Sequence, residues 1–163
     1  VVAGGSARVQ PRTEMKNFTM WTNSAQLLFK PAAAGDAVAI SVPAKSAGQY
    51  SVATVVTRGP EYGRFTAAVN EVPATMTRRV TEETAINKFA VSNQTLTTYD
   101  ANTSRTSAAY NAAPDRHVVD RLELGTFALN EGLNSLSFVS ADGPGESAGV
   151  IGIDQVIITP VKD

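Results

Sequence analysis

The sequence predicts an all-β chain folded as a sandwich or barrel of antiparallel strands. Three observations carry that expectation. Apolar and polar residues alternate with a period of two through most of the chain, as in strands half-buried against a core. Clusters of Gly, Pro, Asn, Asp and Ser interrupt the alternation at intervals of about ten residues. Stretches of helical period are nearly absent.

Asp36 to Ala44 (DAVAISVPA) sets Val38, Ile40 and Val42 against Ala37, Ala39 and Ser41. Gly48 to Gly59 (GQYSVATVVTRG) does the same with Tyr50, Val52, Thr54 and Val56, and Gly63 to Val72 (GRFTAAVNEV) keeps the period. The turns between them are Ala34-Gly35-Asp36, Ser46-Ala47-Gly48 and Gly59-Pro60-Glu61-Tyr62-Gly63. Thr81 to Phe89 (TEETAINKF) has a helical look, with Thr81 as N-cap and Glu82 and Glu83 in the first turn. Thr84 stands where a capping box wants Glu or Gln, so a short helix and an irregular loop both fit. Val91 to Asp115 is rich in Thr, Ser, Asn and Ala and reads as a long loop with one strand inside.

Arg116 to Leu124 (RHVVDRLEL) puts Val118, Asp120, Leu122 and Leu124 on one face of a strand. Leu124 to Phe138 (LGTFALNEGLNSLSF) then reads as a hairpin around Asn130-Glu131-Gly132, with Gly132 supplying the positive φ of the turn. Phe127, Leu129, Leu136 and Phe138 are expected to fill the space between two sheets. Gly149 to Val161 (GVIGIDQVIITPV) is the last strand, and its shift of phase after Asp154 predicts a bulge.

Composition narrows the function classes. The chain has 163 residues, which suits a single domain over 1–163, expected to be one module of a longer protein. Its 43% hydrophobic content is enough for a core without disulfides or metal. Charged residues make up 18% with a formal net of -1, which argues against nucleic acid as a partner. No apolar run approaches the roughly 18 residues of a membrane helix. The absence of cysteine removes thiol catalysis, disulfides and Cys-ligated zinc. No Gly-x-Ser-x-Gly elbow, phosphate loop or metal-ligand spacing occurs. Low charge and abundant Ala, Thr, Ser, Asn and Val suit a secreted, extracellular module.

Four pieces occur in order: Phe18 to Phe29 (FTMWTNSAQLLF), Gly48 to Gly63 (GQYSVATVVTRGPEYG), Leu124 to Phe138, and Ile151 to Ile158 (IGIDQVII). Together they resemble the β-jelly-roll accessory domains of bacterial polysaccharide-degrading enzymes, of the galactose-binding-like carbohydrate-binding-module type. The resemblance implies a jelly roll of two facing antiparallel sheets. It implies carbohydrate as the partner as a family tendency, since fold alone does not carry function. It also raises a structural calcium ion held by Glu14 and Asp154, set against the reading in which Asp154 bonds turn amides and no cofactor is present. The long interval from Asn70 to Asp120 departs from the pattern, so a site carried there is this chain's own.

Candidate ligand-binding residues follow from sugar chemistry, in which rings stack on the C–H face and charged or amide groups hold hydroxyls. Trp21 is the only tryptophan and a candidate platform, although Phe18, Met20, Leu27 and Leu28 suggest a core neighbourhood. Tyr62 lies in a turn between two strong strands and is either a platform or a cap on the core. Tyr99, Asp100, Asn102, Arg105 and Tyr110 mix aromatic and polar groups in the long polar stretch, and Arg116 and His117 follow it. His117 with Asp120 and a serine would be the elements of a triad, but no motif selects one, and no spacing selects a carboxylate pair. The expected function is therefore a non-catalytic polysaccharide-binding module, with no catalytic or metal residue assigned. The alternatives are a structural sandwich that packs against other domains of the parent protein or assembles with itself, and a small glycan hydrolase.

Overall fold

The computed structural model describes residues 1–15, 18–83, 89–105, 116–142 and 148–162. Among these residues, thirteen strands run in chain order. They are β1 (Val2–Ala3), β2 (Ser6–Pro11), β3 (Ala25–Lys30), β4 (Ala37–Ala44), β5 (Gly48–Arg58), β6 (Arg64–Val69) and β7 (Val72–Pro73). The rest are β8 (Met76–Glu83), β9 (Phe89–Leu96), β10 (Tyr99–Asp100), β11 (Val118–Leu129), β12 (Gly132–Ser140) and β13 (Ile151–Pro160). One antiparallel sheet has the order β1-β4-β12-β6-β10, with β7 beside β6. The other has the order β2-β3-β13-β5-β11-β8-β9. The chain passes from one sheet to the other at each connection from β3 to β6 and again from β10 to β13, which is the jelly-roll path.

Alternation sets which side chains enter the core. Val52 and Val56 of β5, Leu122 and Leu124 of β11, and Phe65, Leu136 and Phe138 of the opposite sheet are all buried between the layers. The Phe65 and Phe138 rings meet edge to face with centroids 5.6 Å apart. Each such ring contributes on the order of 2–3 kcal/mol by leaving water.

Three expectations are corrected. Leu124 to Phe138 is not a hairpin, because β11 pairs with β5 and β8 whereas β12 pairs with β4 and β6. The Asn130-Glu131-Gly132 break is an arch that carries the chain between sheets. Asn134, buried on β12, holds it in place of a ladder. Its Oδ1 accepts from the Asn130 N–H at 2.9 Å and its Nδ2 donates to the Asn130 carbonyl at 2.9 Å. Gly132 does have a positive φ, of 92°. Second, Thr81 to Glu83 belong to strand β8 and Phe89 begins β9, so the helical look of this segment gives way to an antiparallel pair. Third, the long loop is shorter than expected, since β9 runs to Leu96 and β10 adds Tyr99–Asp100. The expected bulge in the last strand is present as a register shift between Ile153 and Gln155. A matching shift between Glu123 and Gly125 bends β11 on the other side of β5.

Candidate functional site

Several connections meet at one end of the sandwich and are tied by backbone hydrogen bonds. The Gly59 N–H donates to Ala101 O at 3.1 Å, and the Ala101 N–H donates to Gly63 O at 3.1 Å. The Gly63 N–H donates to Val150 O, and the Val150 N–H donates to Glu61 O, both at 3.0 Å. A Cβ on Gly149 would lie 2.4 Å from the Gly63 nitrogen, so these two strands of backbone touch only because both residues lack side chains.

Side chains lock the same region. Buried Asp142 accepts from the Arg64 N–H at 3.0 Å and the Gly149 N–H at 2.8 Å. Arg105 Nη2 lies 3.3 Å from the same carboxylate. Arg105 also forms a two-pronged pair with Asp100, at 3.0 Å on each side, and Arg64 Nε reaches Asp100 at 3.3 Å. Such forked pairs fix geometry as well as charge. Asn102 donates from Nδ2 to Pro60 O at 2.8 Å and accepts the Arg105 N–H at 3.1 Å. Burial alone would raise the Asp100 carboxyl. The Arg105 hydrogen bonds, the Asn102 N–H and the charges of Arg105 and Arg64 outweigh it and hold Asp100 below the ordinary aspartate value. A proton-donating glycosidase acid needs the opposite shift.

The aromatic candidates do not line this end as platforms. Trp21, Tyr62 and Tyr99 are 5%, 1% and 0% exposed. Trp21 packs edge to face on Phe18, and its Nε1 donates to Thr57 Oγ1 at 2.8 Å on the outward side of β5. Thr57 Oγ1 in turn donates to Gln26 Oε1 at 2.6 Å, and Gln26 Nε2 donates to the Tyr62 hydroxyl at 2.9 Å. Burial pushes the Tyr62 phenol up to about 12. Tyr99 points into the core, where its hydroxyl donates to Asp120 and its ring packs near Phe65. Burial first, and then the charge of Asp120, pushes the Tyr99 phenol well above its ordinary value. Asp120 is held by Arg78 Nε at 2.6 Å and Arg58 Nη1 at 3.5 Å. A ring without a free face cannot stack on a pyranose, so the expectation of stacking by Trp21, Tyr62 and Tyr99 is corrected: the three rings support the site from beneath.

The polar candidates do come together. Asp100, Asn102 and Arg105 form one cluster, and exposed Arg116 precedes His117 at the foot of β11. His117 Nε2 lies 2.7 Å from Glu61 Oε1, and its ring meets Phe18 and Tyr62 edge to face. Tyr110 lies outside the described residues. Three participants were missed in the sequence: Glu61, Arg64 and Asp142. The signal for Asp142 was its place before Gly143-Pro144-Gly145, where an aspartate commonly binds the amides of a turn.

Of the two calcium candidates, Glu14 is engaged by an arginine. Both Glu14 oxygens accept from Arg8, at 2.9 and 2.6 Å. Among the described residues no group of three His, Cys, Asp or Glu side chains is placed to hold a metal. Asp154 keeps one buried oxygen without a partner in this structure.

No protein-family model matches the chain, and no curated protein matches it. Solved structures do. A xanthan lyase from Paenibacillus aligns with a TM-score of 0.60 at 12% identity, over 99% of this chain and 12% of that one. A family 35 carbohydrate-binding module from an environmental isolate aligns with a TM-score of 0.51 at 16% identity, over 98% of this chain and 84% of the module. A Podospora anserina β-1,4-mannanase containing a family 35 module aligns with a TM-score of 0.50 at 14% identity, over 100% of this chain and 26% of that one. In fold, then, the chain is a jelly-roll β-sandwich. More particularly, its jelly roll is shared with a family 35 module over most of both lengths.

Proposed function

We propose that the chain is a non-catalytic carbohydrate-binding module of a secreted, polysaccharide-active protein, and that it holds its glycan at the loop end. The observation behind this reading is the rigid polar rim made by Asp100, Asn102 and Arg105 beside Arg116, His117 and Glu61. The rim offers hydrogen-bond donors and acceptors in fixed positions on a scaffold that needs no rearrangement, which lowers the cost of binding a polar ligand. Because Trp21, Tyr62 and Tyr99 are covered, recognition by the described residues rests on hydrogen bonds to hydroxyls, and affinity is modest. Titration calorimetry against plant, algal, fungal and bacterial polysaccharides tests it. Arg116→Ala and His117→Ala are each expected to weaken binding by up to about tenfold, the loss of one hydrogen bond. Binding by both variants equal to that of the parent chain, or silence across the whole panel, would sink the loop-end reading.

A further inference from the structure

The outward face of the seven-stranded sheet carries a groove of about 440 Å³ lined by Thr77, Arg79, Asn93, Asp120, Arg121 and Glu123. Its volume falls within the few hundred Å³ typical of ligand sites. The strands explain its lining. Met76 and Arg78 are buried, so Thr77 and Arg79 of β8 face outward. Leu122 and Leu124 are buried, so Arg121 and Glu123 of β11 face outward as well. Asn93 of β9 pairs with Arg79, and Glu123 pairs with Thr77. Extending the antiparallel register one step past the Leu122–Arg78 pair sets Arg121 opposite Arg79, and both line the groove.

Like charges facing each other across an antiparallel pair repel. Arg121 Nε donates to Glu123 at 2.7 Å, whereas among the described residues Arg79 makes no ion pair. The Asp120 carboxylate is taken by Arg58 and Arg78. An anion placed between the two guanidinium forks relieves the repulsion and gains charge-assisted hydrogen bonds, for which arginine is better shaped than lysine. Among the described residues no aromatic ring lines the groove, and its lining is polar and charged.

We propose that this groove is a second glycan site, selective for the anionic groups, carboxylate or sulfate ester, of an acidic polysaccharide. Arg79 and Arg121 hold the anion, and Asn93 and Thr77 hold neighbouring hydroxyls. The proposal rests on the carbohydrate reading but not on the loop-end residues. His117 lies just before β11, four residues and about 13 Å along the chain from Arg121, so the two sites are separable.

Affinity electrophoresis with polygalacturonate, dextran sulfate and neutral dextran tests it at low and at physiological salt. The chain is expected to bind at least one acidic polymer more tightly than dextran, and the preferred polymer identifies the anionic group. Arg79→Ala/Arg121→Ala should weaken that binding by at least about tenfold. Arg79→Lys, which keeps the charge and loses the fork, should fall between. Lys30→Ala/Lys45→Ala removes the same charge elsewhere on the surface and should leave binding unchanged. The loss caused by Arg79→Ala/Arg121→Ala should be of the same size in a His117→Ala background, so a failed loop-end site and a failed groove read differently. Equal weakening by the two double variants would reduce the effect to diffuse charge and overturn the proposal. So would acidic polymers that bind no better than dextran.

Discussion

Asp142→Asn tests whether one buried carboxylate holds the candidate site together. The native carboxylate accepts from two backbone N–H groups and from Arg105, with Oδ1 facing Arg64 and Arg105 and Oδ2 facing Gly149. Asparagine has nearly the same shape but a single acceptor oxygen. Whichever way the amide turns, its NH₂ meets an N–H donor and at least one hydrogen bond to a charged acceptor is lost. Such bonds are worth about 1.5–3 kcal/mol each, and a buried donor left without a partner adds about 1–3 kcal/mol. Partial access of water at Arg64 and Gly149 trims that sum, so a loss of about 2–4 kcal/mol is expected. In a chain of this size that lowers Tm by roughly 5–15 °C. Thermal unfolding followed by circular dichroism measures it. A variant that melts within about 2 °C of the parent would refute the carboxylate's role as the pin of this end.

Thr57→Val keeps the shape and removes the hydroxyl that links Trp21 to Gln26, leaving a buried indole N–H and a buried amide oxygen without that partner. Denaturant unfolding should show a loss of about 2–4 kcal/mol, and a loss below about 1 kcal/mol would dismiss the chain of bonds as incidental. Glu71→Gly should stabilise by about 0.5–1 kcal/mol, because Asn70 and Glu71 join β6 to β7 with φ of 47° and 68°, a conformation that glycine adopts freely. A lower Tm for this variant would contradict the strain. The phenols of Tyr62 and Tyr99 are raised in the folded state, so their share of stability is complete below pH about 10 and is lost as pH climbs toward about 12 and beyond. Tyrosinate absorbance should therefore rise together with unfolding, and full ionisation with the far-UV spectrum intact would refute the burial.

Much of the fold was legible because alternation is a local property. Asp36 to Ala44, Gly48 to Gly59 and Gly149 to Val161 announce β4, β5 and β13 within a residue or two. What alternation cannot report is which sheet a strand joins. Asn130-Glu131-Gly132 is the same turn signal whether the chain folds back on its partner or arches over to the other sheet, and the difference lies in Asn134 turning inward to hold the arch. Thr81 to Glu83 misled for the opposite reason: acids suited to the start of a helix were overridden by pairing with β9. At the site, Asp100, Asn102 and Arg105 were readable because they sit within six residues of one another. Arg64 and Asp142 reach that cluster from 36 and 37 residues away in sequence, a closeness that only the tertiary fold creates.

The covering of Trp21, Tyr62 and Tyr99 also decides how this molecule can be observed. The ultraviolet signals of these three rings come from buried positions, so they follow melting closely and respond little to anything that touches the rim or the groove. Intrinsic fluorescence is therefore a good thermometer for this chain and a poor detector of its ligands. Heat, mobility and mass are the quantities in which an encounter with a polysaccharide will register.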